Sequence, residues 1–307
     1  MKKSKNLFLW IGSSILTFIF IISILAPWIA PYEIQEMDPP RFLEDGSWVA
    51  PPYPMSTKHW LGTDSNGYDI LSQLMYGAKY TLLFISVTSV FRLLLALPIG
   101  MWIGWKEKKS TRSILKVIQL WNTLPILIIA LLILSAVLSR TQSVQNQVFI
   151  QMVVIILLGV PALANTIHNH VKELKKSSFI EGAQVLGAGD YHILRKHIFP
   201  HLKPQLFLIW VMEIVQILLL VGQLAVLNII IGGAEMTFEI STGDVLIKPN
   251  TSEWTGMLAI SRYKIIQYPS IIIGPLIAYL MTIMSFIMVI EGLKEKDDLK
   301  QVSYELD

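Results

Sequence analysis

Two groups of residues in this chain have types and spacings that could do chemistry. The first is a polar island over residues 177–204, reading SSFIEGAQVLGAGDYHILRKHIFPHLKP. The second is a scatter of polar groups inside apolar stretches: Arg92, Asn122, Glu213, Gln216, Gln223 and Asn228. The island places a lone acid, Glu181, among small and apolar residues (Ile180, Gly182, Ala183, Val185, Leu186). At Gly187-Ala188-Gly189-Asp190 one helix should stop and another start, capped by Asp190. A second short amphipathic run, residues 191–199, ends at Pro200. Two short helices joined at a glycine break make a knob too polar to lie in lipid. Its apolar face needs a partner.

Most familiar chemistries are excluded by type and spacing. There are no cysteines, which removes disulfides, thiolate metal sites and cysteine nucleophiles. His168 and His170 are two apart and so point to different helix faces. His197 and His201 are four apart, but Pro200 lies between them and no carboxylate completes a metal site. No G-x-x-x-x-G-K-[ST] phosphate loop, His-Glu-x-x-His or G-x-S-x-G elbow occurs, so the chain has no motif for binding ATP itself and is read as a non-enzyme. An intramembrane hydrolase would need a nucleophile and a base on facing spans, and Ser, His and Asp are nearly absent there.

The elements that must position these groups are membrane spans. Only 15% of residues are charged, against roughly 25% in soluble domains. Mean hydropathy is +0.55. Because the charges are clustered, several apolar runs reach the roughly 20 residues a helix needs to cross a bilayer. The expected fold is an all-α polytopic membrane protein with spans over about 7–26, 80–105, 117–138, 148–164, 205–231 and 269–290. The first is a retained span, since it is longer than the roughly 7–15 apolar residues of a signal core. Arg92 falls inside span two, where a charge costs about 2.5–3.5 kcal/mol, so it should face protein or water. Pairing with another intramembrane polar group is favoured over substrate contact. Pro125 should kink span three. Glu213 and Gln216 share a helix face, with Gln223 two turns on. The long proline-rich segment 27–78 ends in a glycine turn that leads into an amphipathic helix at the membrane surface.

Lysine and arginine placement sets the orientation. With both termini in the cytoplasm, inner segments hold seventeen of the 25 and outer ones seven, Arg92 being intramembrane. This bias follows the positive-inside rule and puts the polar island, between spans four and five, in the cytoplasm. The expected organisation is an N-terminal span with a long extracellular loop (1–79), a five-span domain (80–291, with an extracellular loop over about 232–268) and a cytoplasmic tail (292–307).

The residues then carry a resemblance. Glu181-Gly182-Ala183, Leu186-Gly187-Ala188 and Ile198-Phe199-Pro200 resemble the "EAA…G…I-LP" loop of ABC importer permeases. His59-Trp60-Leu61-Gly62-Thr63-Asp64, with Gly67, Asp69, Leu71-Ser72, Leu74 and Tyr76-Gly77-Ala78, resembles the "H-x-LGTD-x-x-GRD-x-LSRL-x-YGAR" segment of the peptide/nickel permeases. Pro31-Tyr32 and the proline-rich loop resemble the second, C-type, subunit of that pair. Trp254-Thr255-Gly256-Met257-Leu258 is similar to its "W-G-x-ML" element, and FIMVIEGLKE to its closing "FNLLGDGLRD".

The resemblance implies a permease subunit of an ATP-driven importer in the bacterial plasma membrane, for oligopeptides or dipeptides. Nickel or metal-chelate import is an alternative, as is a non-transporting sensor or scaffold coupled to an ABC ATPase. It implies a homologous second permease, two ATPase subunits that bind ATP and magnesium, an extracellular substrate-binding protein and surrounding lipid, with no cofactor in this chain and no nucleic acid. Glu181, Gly182, Ala183, Leu186, Gly187, Ala188 and Asp190 would couple to the ATPase. Arg92, Asn122, Glu213, Gln216 and Asn228 are candidates for the translocation pathway. The chain departs from the pattern in places. Gly182 replaces an alanine, loosening the helix by up to about 1 kcal/mol. Tyr68 and Lys79 stand where arginines are usual, the loop over about 232–250 is longer, and Arg92 belongs to no motif of the family.

Overall fold

Runs this apolar cannot leave backbone groups unpaired in lipid, so they close their hydrogen bonds within helices. A computed structural model describes residues 5–34, 36–42, 44, 46–106, 109–141, 143–238, 245–262 and 265–304. The helices are α1 (Lys5–Ile29), α2 (Ile70–Trp105), α3 (Lys109–Thr123), α4 (Ile126–Leu138), α5 (Val144–Leu174), α6 (Ser178–Val185), α7 (Asp190–Ile193), α8 (Phe199–Val226), α9 (Trp254–Ser261) and α10 (Ser270–Tyr304). Strands β1 (Arg41–Phe42) and β2 (Trp48–Val49) pair within the loop after α1, and β3 (Ala234–Phe238) pairs antiparallel with β4 (Val245–Pro249).

Five helices are long and apolar enough to cross a membrane, and α3 with α4 form a sixth, bent by 84°. The direction of packing shows what the bent pair does. A Cβ on Gly100 of α2 would lie 2.7 Å from the Ala164 carbonyl oxygen of α5, and one on Gly104 would lie 2.7 Å from Val171. Positions therefore advance together, and α2 and α5 run parallel at close approach through small residues. Two parallel crossings require a return between them, and among the described residues only α3 and α4 lie there. Pro125 thus breaks a span rather than merely kinking it. Similarly, Gly12 meets Ser285 and Gly292 meets Leu9, so α1 and α10 are antiparallel. The described ends of the chain consequently lie at one face of the bundle.

Two further expectations are corrected. The helix before span two is not a separate surface element: α2 starts at Ile70, capped by Asp69, whose carboxylate accepts from the Ser72 amide at 2.8 Å, and runs unbroken for 36 residues. The run after Gly189 does not end at Pro200, because a π-helical turn over Leu194–Ile198 carries it into α8. The wider turn, in which the Phe199 amide bonds to Leu194, makes room for a ring that would clash in a regular helix. The loop over about 232–250 contains the β3–β4 hairpin. Residues 239–244 lie outside the described residues.

Candidate functional site

The knob is built on one fully buried isoleucine of α6. Ile180, Ile193, Ile198 and Leu202 each have 0% exposure and pack with Leu163, Ile167 and Val171 of α5. Burial of this kind contributes roughly 1.5–3 kcal/mol per side chain. Lys175, just before α6, donates to the Trp105 carbonyl at 3.1 Å and lies 5.4 Å over the Trp105 ring. The knob is thereby fastened to the ends of both α2 and α5.

Helix α6 stops where the sequence predicts. Gly187 has φ +80°, the Gly187 amide bonds to the Gln184 carbonyl, and the Ala188 amide bonds to Ala183. That is the Schellman pattern, in which the left-handed residue is relieved of any Cβ penalty by being glycine. Asp190, by contrast, is not a cap. The cap position is Gly189, and Asp190 is the first helical residue with no side-chain capping bond. Among the predicted coupling residues, Ala183 and Ala188 are partly buried, whereas Glu181, Gly182, Leu186, Gly187 and Asp190 are exposed. Val185 and Leu186 are 87% and 88% exposed, outside every candidate membrane span.

The intramembrane polar residues divide. Arg92 of α2 donates through Nη1 to Glu213 Oε2 of α8 at 2.8 Å and through Nη2 to the Ile155 carbonyl of α5 at 2.7 Å. Both side chains are buried. Gly159 makes this possible, since a Cβ there would fall 2.1 Å from Arg92 Cζ. Beside the pair lies an open hollow of about 420 Å³ lined by Arg92, residues 124–127 at the broken span, and Gln216, Leu219, Leu220 and Gln223 of α8. The structure therefore brings Arg92, Glu213 and Gln216 together.

It does not bring Asn122 or Asn228 to them. Asn122 is exposed near the end of α3 and does not line the hollow. Asn228 lies two residues beyond the end of α8 at Val226 and does not line the hollow. With φ 65°, its amide bonded to Ala225 and the next amide to Leu224, Asn228 terminates α8 as Gly187 terminates α6. Its side-chain oxygen accepts from Arg262 at 2.8 Å.

Sequence reasoning missed two polar anchors at the opposite end of the bundle. Gln151, buried in α5, donates to the Ile230 carbonyl at 2.7 Å and accepts from the Gly232 amide at 3.1 Å. Its signal was the one already used for Glu213, a polar residue inside an apolar run. Glu253 caps α9, accepting from the Thr255 and Gly256 amides at 2.7 and 2.6 Å. Burial pushes its carboxyl up to about 7, against the lowering effect of those hydrogen bonds. Further out, His59 sits 3.0 Å from Asp69 and 3.3 Å from Asp38, clamping the loop after α1 onto the start of α2. Burial pushes the Asp38 carboxyl up, but hydrogen bonds from Lys58 and His59 prevail and hold it below the ordinary carboxylate range. Among the described residues, no cluster of three or more His, Asp or Glu is arranged to hold a metal ion.

Comparison with known proteins adds the following. Residues 96–295 match the family described as binding-protein-dependent transport system inner membrane component, and residues 4–55 match the N-terminal TM domain of oligopeptide transport permease C. The glutathione transport system permease protein GsiD of Shigella dysenteriae serotype 1 is 25% identical over 290 residues, covering 92% of this chain and 83% of that protein. The GsiD protein of Escherichia coli O157:H7 is 26% identical over the same lengths.

Proposed function

The chain belongs to the family of binding-protein-dependent transport system inner membrane components, and from that premise we propose that it is one permease of an ATP-driven importer whose cargo is small peptides. As a family member it is a multi-pass protein of the bacterial inner membrane and a permease rather than an ATPase. In this reading a second, related permease completes the pathway, an extracellular binding protein delivers cargo, and two ATPase subunits bind ATP and magnesium. The knob and both termini face the cytoplasm, as the basic residues favour. The five-span unit, read from the sequence as starting near residue 80, begins with α2 at Ile70, after a first span and its extracellular loop.

The observation that carries the coupling assignment is the pose of α6. A short helix anchored by Ile180 presents Val185 and Leu186, both highly exposed, outside every candidate span. Exposed apolar residues in such a place mark a protein interface. Nucleotide-driven closure of the ATPase dimer would move α6, and its attachment to α5, α2 and α8 would pass that movement to the spans, biasing two packings of the bundle. The cargo assignment draws on the oligopeptide permease match over 4–55 and on the glutathione named for the relatives, itself a small peptide. Gln216 and Gln223 at the hollow would offer amide groups to a peptide backbone, beside the charge-compensated Arg92–Glu213 pair.

The test is uptake by the whole complex in proteoliposomes. ATP-dependent accumulation of labelled di- and oligopeptides or glutathione is the expected result. Hydrolysis of ATP with no peptide moved, in the presence of the binding protein, would overturn the transport reading.

A further inference from the structure

Two glycines of the knob are exposed for different reasons. Gly187 occupies a left-handed backbone position, which explains glycine without reference to anything outside the chain. Gly182 has no such reason. It lies in the interior of α6 with ordinary helical backbone, and a Cβ built on it meets nothing within 4 Å. A glycine at an exposed helix interior weakens the helix relative to alanine, and no contact within this chain offsets that.

Its neighbours show where the offset lies. Phe179 is three residues before Gly182, and Val185 and Leu186 are three and four after, so all four share one helix face. The three apolar side chains are 40%, 87% and 88% exposed. The result is an apolar ridge with a hole at its centre. Adsorption to lipid does not suit it. The helix, SFIEGAQV, has an acid and no lysine or arginine, whereas helices that lie on membranes carry basic residues on their polar face.

We propose that Gly182 is a hole that receives a bulky apolar side chain from the ATPase subunit. The ridge residues Phe179, Val185 and Leu186 then pack around that side chain, as a fully desolvated centre of an interface does. A Cβ at position 182 would fill the hole, so the glycine is kept for the partner and not for the fold. This rests on the reading of α6 as the ATPase-docking helix.

The test uses the full permease purified with its partner permease, and measures binding of the ATPase subunits to three variants. Val185→Asp examines the docking reading and should abolish binding. Gly182→Ala should weaken binding about tenfold and Gly182→Leu should abolish it, overfilling being the cause. Thermal unfolding of both Gly182 variants should be no lower than that of the parent, since alanine and leucine favour helix over glycine; this separates a filled hole from a damaged fold. If Val185→Asp loses the ATPase while Gly182→Leu binds like the parent, the hole is overturned and the docking reading stands. If Val185→Asp binds normally, both fall.

Discussion

The guanidinium of Arg92 and the carboxylate of Glu213, 121 residues apart in sequence, meet at 2.8 Å between α2 and α8. A second guanidinium nitrogen holds the Ile155 carbonyl, so one side chain ties three helices at the wall of the hollow. The pair offsets the cost of a charge inside a span with protein partners on both terminal nitrogens, Nε having none among the described residues, and it is the pairing expected for Arg92. It also leaves Gln216, one turn away, as the neutral polar group facing the open space.

Breaking this pair should be worse than removing it. Arg92→Ala or Glu213→Ala leaves a buried charge uncompensated and should cost about 3–5 kcal/mol, whereas Arg92→Met with Glu213→Leu should cost much less. Gly159→Ala should be destabilising in the parent, where the methyl would strike Arg92, and close to neutral when Arg92 is already alanine. Thermal unfolding of the detergent-purified variants measures all of these. An additive double-mutant cycle for residues 159 and 92 would show that they do not compete for the same space.

What the sequence disclosed, and what it did not, follows from the range of the forces. The spans were legible because a bilayer-crossing helix is a local property of apolar length. The stop at Gly187 was legible because a left-handed cap has a local residue preference. The partner of Arg92 was not, since nothing local connects it to Glu213. Nor was Gly159, whose role is to lack a Cβ opposite a side chain from another helix. Pro200 misled because a proline ordinarily ends a helix, and only the π turn before it changes that. Asn228 reads as part of the span because apolar residues flank it on both sides, whereas its left-handed backbone ends α8.

Two departures from the family pattern meet in one contact. Tyr68 stands where an arginine is usual, and Lys248 of β4 donates to the Tyr68 hydroxyl at 2.8 Å while lying 4.5 Å over its ring. The hairpin thus returns a cation to the neighbourhood of position 68. Because Lys248 is exposed, Lys248→Ala should cost under about 1 kcal/mol of global stability. Its effect should instead be local. Amide exchange in residues 245–249 should accelerate several-fold, with exchange in α2 unchanged, and equal protection in parent and variant would refute the clasp.

Glu253 makes stability depend on pH in the direction opposite to a salt-bridged carboxylate. Burial raises its folded-state value from 4.5 to about 7, so between these values the folded chain keeps a proton that the unfolded chain releases. The stabilisation is complete below about pH 4.5 and is lost as pH rises through about 7, a change on the order of 3 kcal/mol. Melting temperature should therefore decline between pH 5 and 8. Glu253→Gln, which cannot ionise, should flatten that decline. A parent and variant with parallel pH profiles would remove Glu253 as the cause.

The chain itself contains the control for its most consequential turn. Gly187 at φ +80° ends α6, and Asn228 at φ 65° ends α8, with the same pair of backbone hydrogen bonds closing each turn. A Cβ at position 187 would meet nothing within 4 Å, so the penalty of adding that first side-chain atom is backbone strain and not collision. Asparagine tolerates the left-handed region and β-branched residues do not. Gly187→Asn should therefore cost under about 1 kcal/mol and Gly187→Val about 2 kcal/mol or more, while Asn228→Gly should be close to neutral. If α6 couples the spans to the ATPase, ATP-driven uptake should survive Gly187→Asn, fall with Gly187→Val, and be lost with Gly187→Trp, with the spans inserted in every case. Normal uptake by Gly187→Trp would separate the knob from coupling altogether.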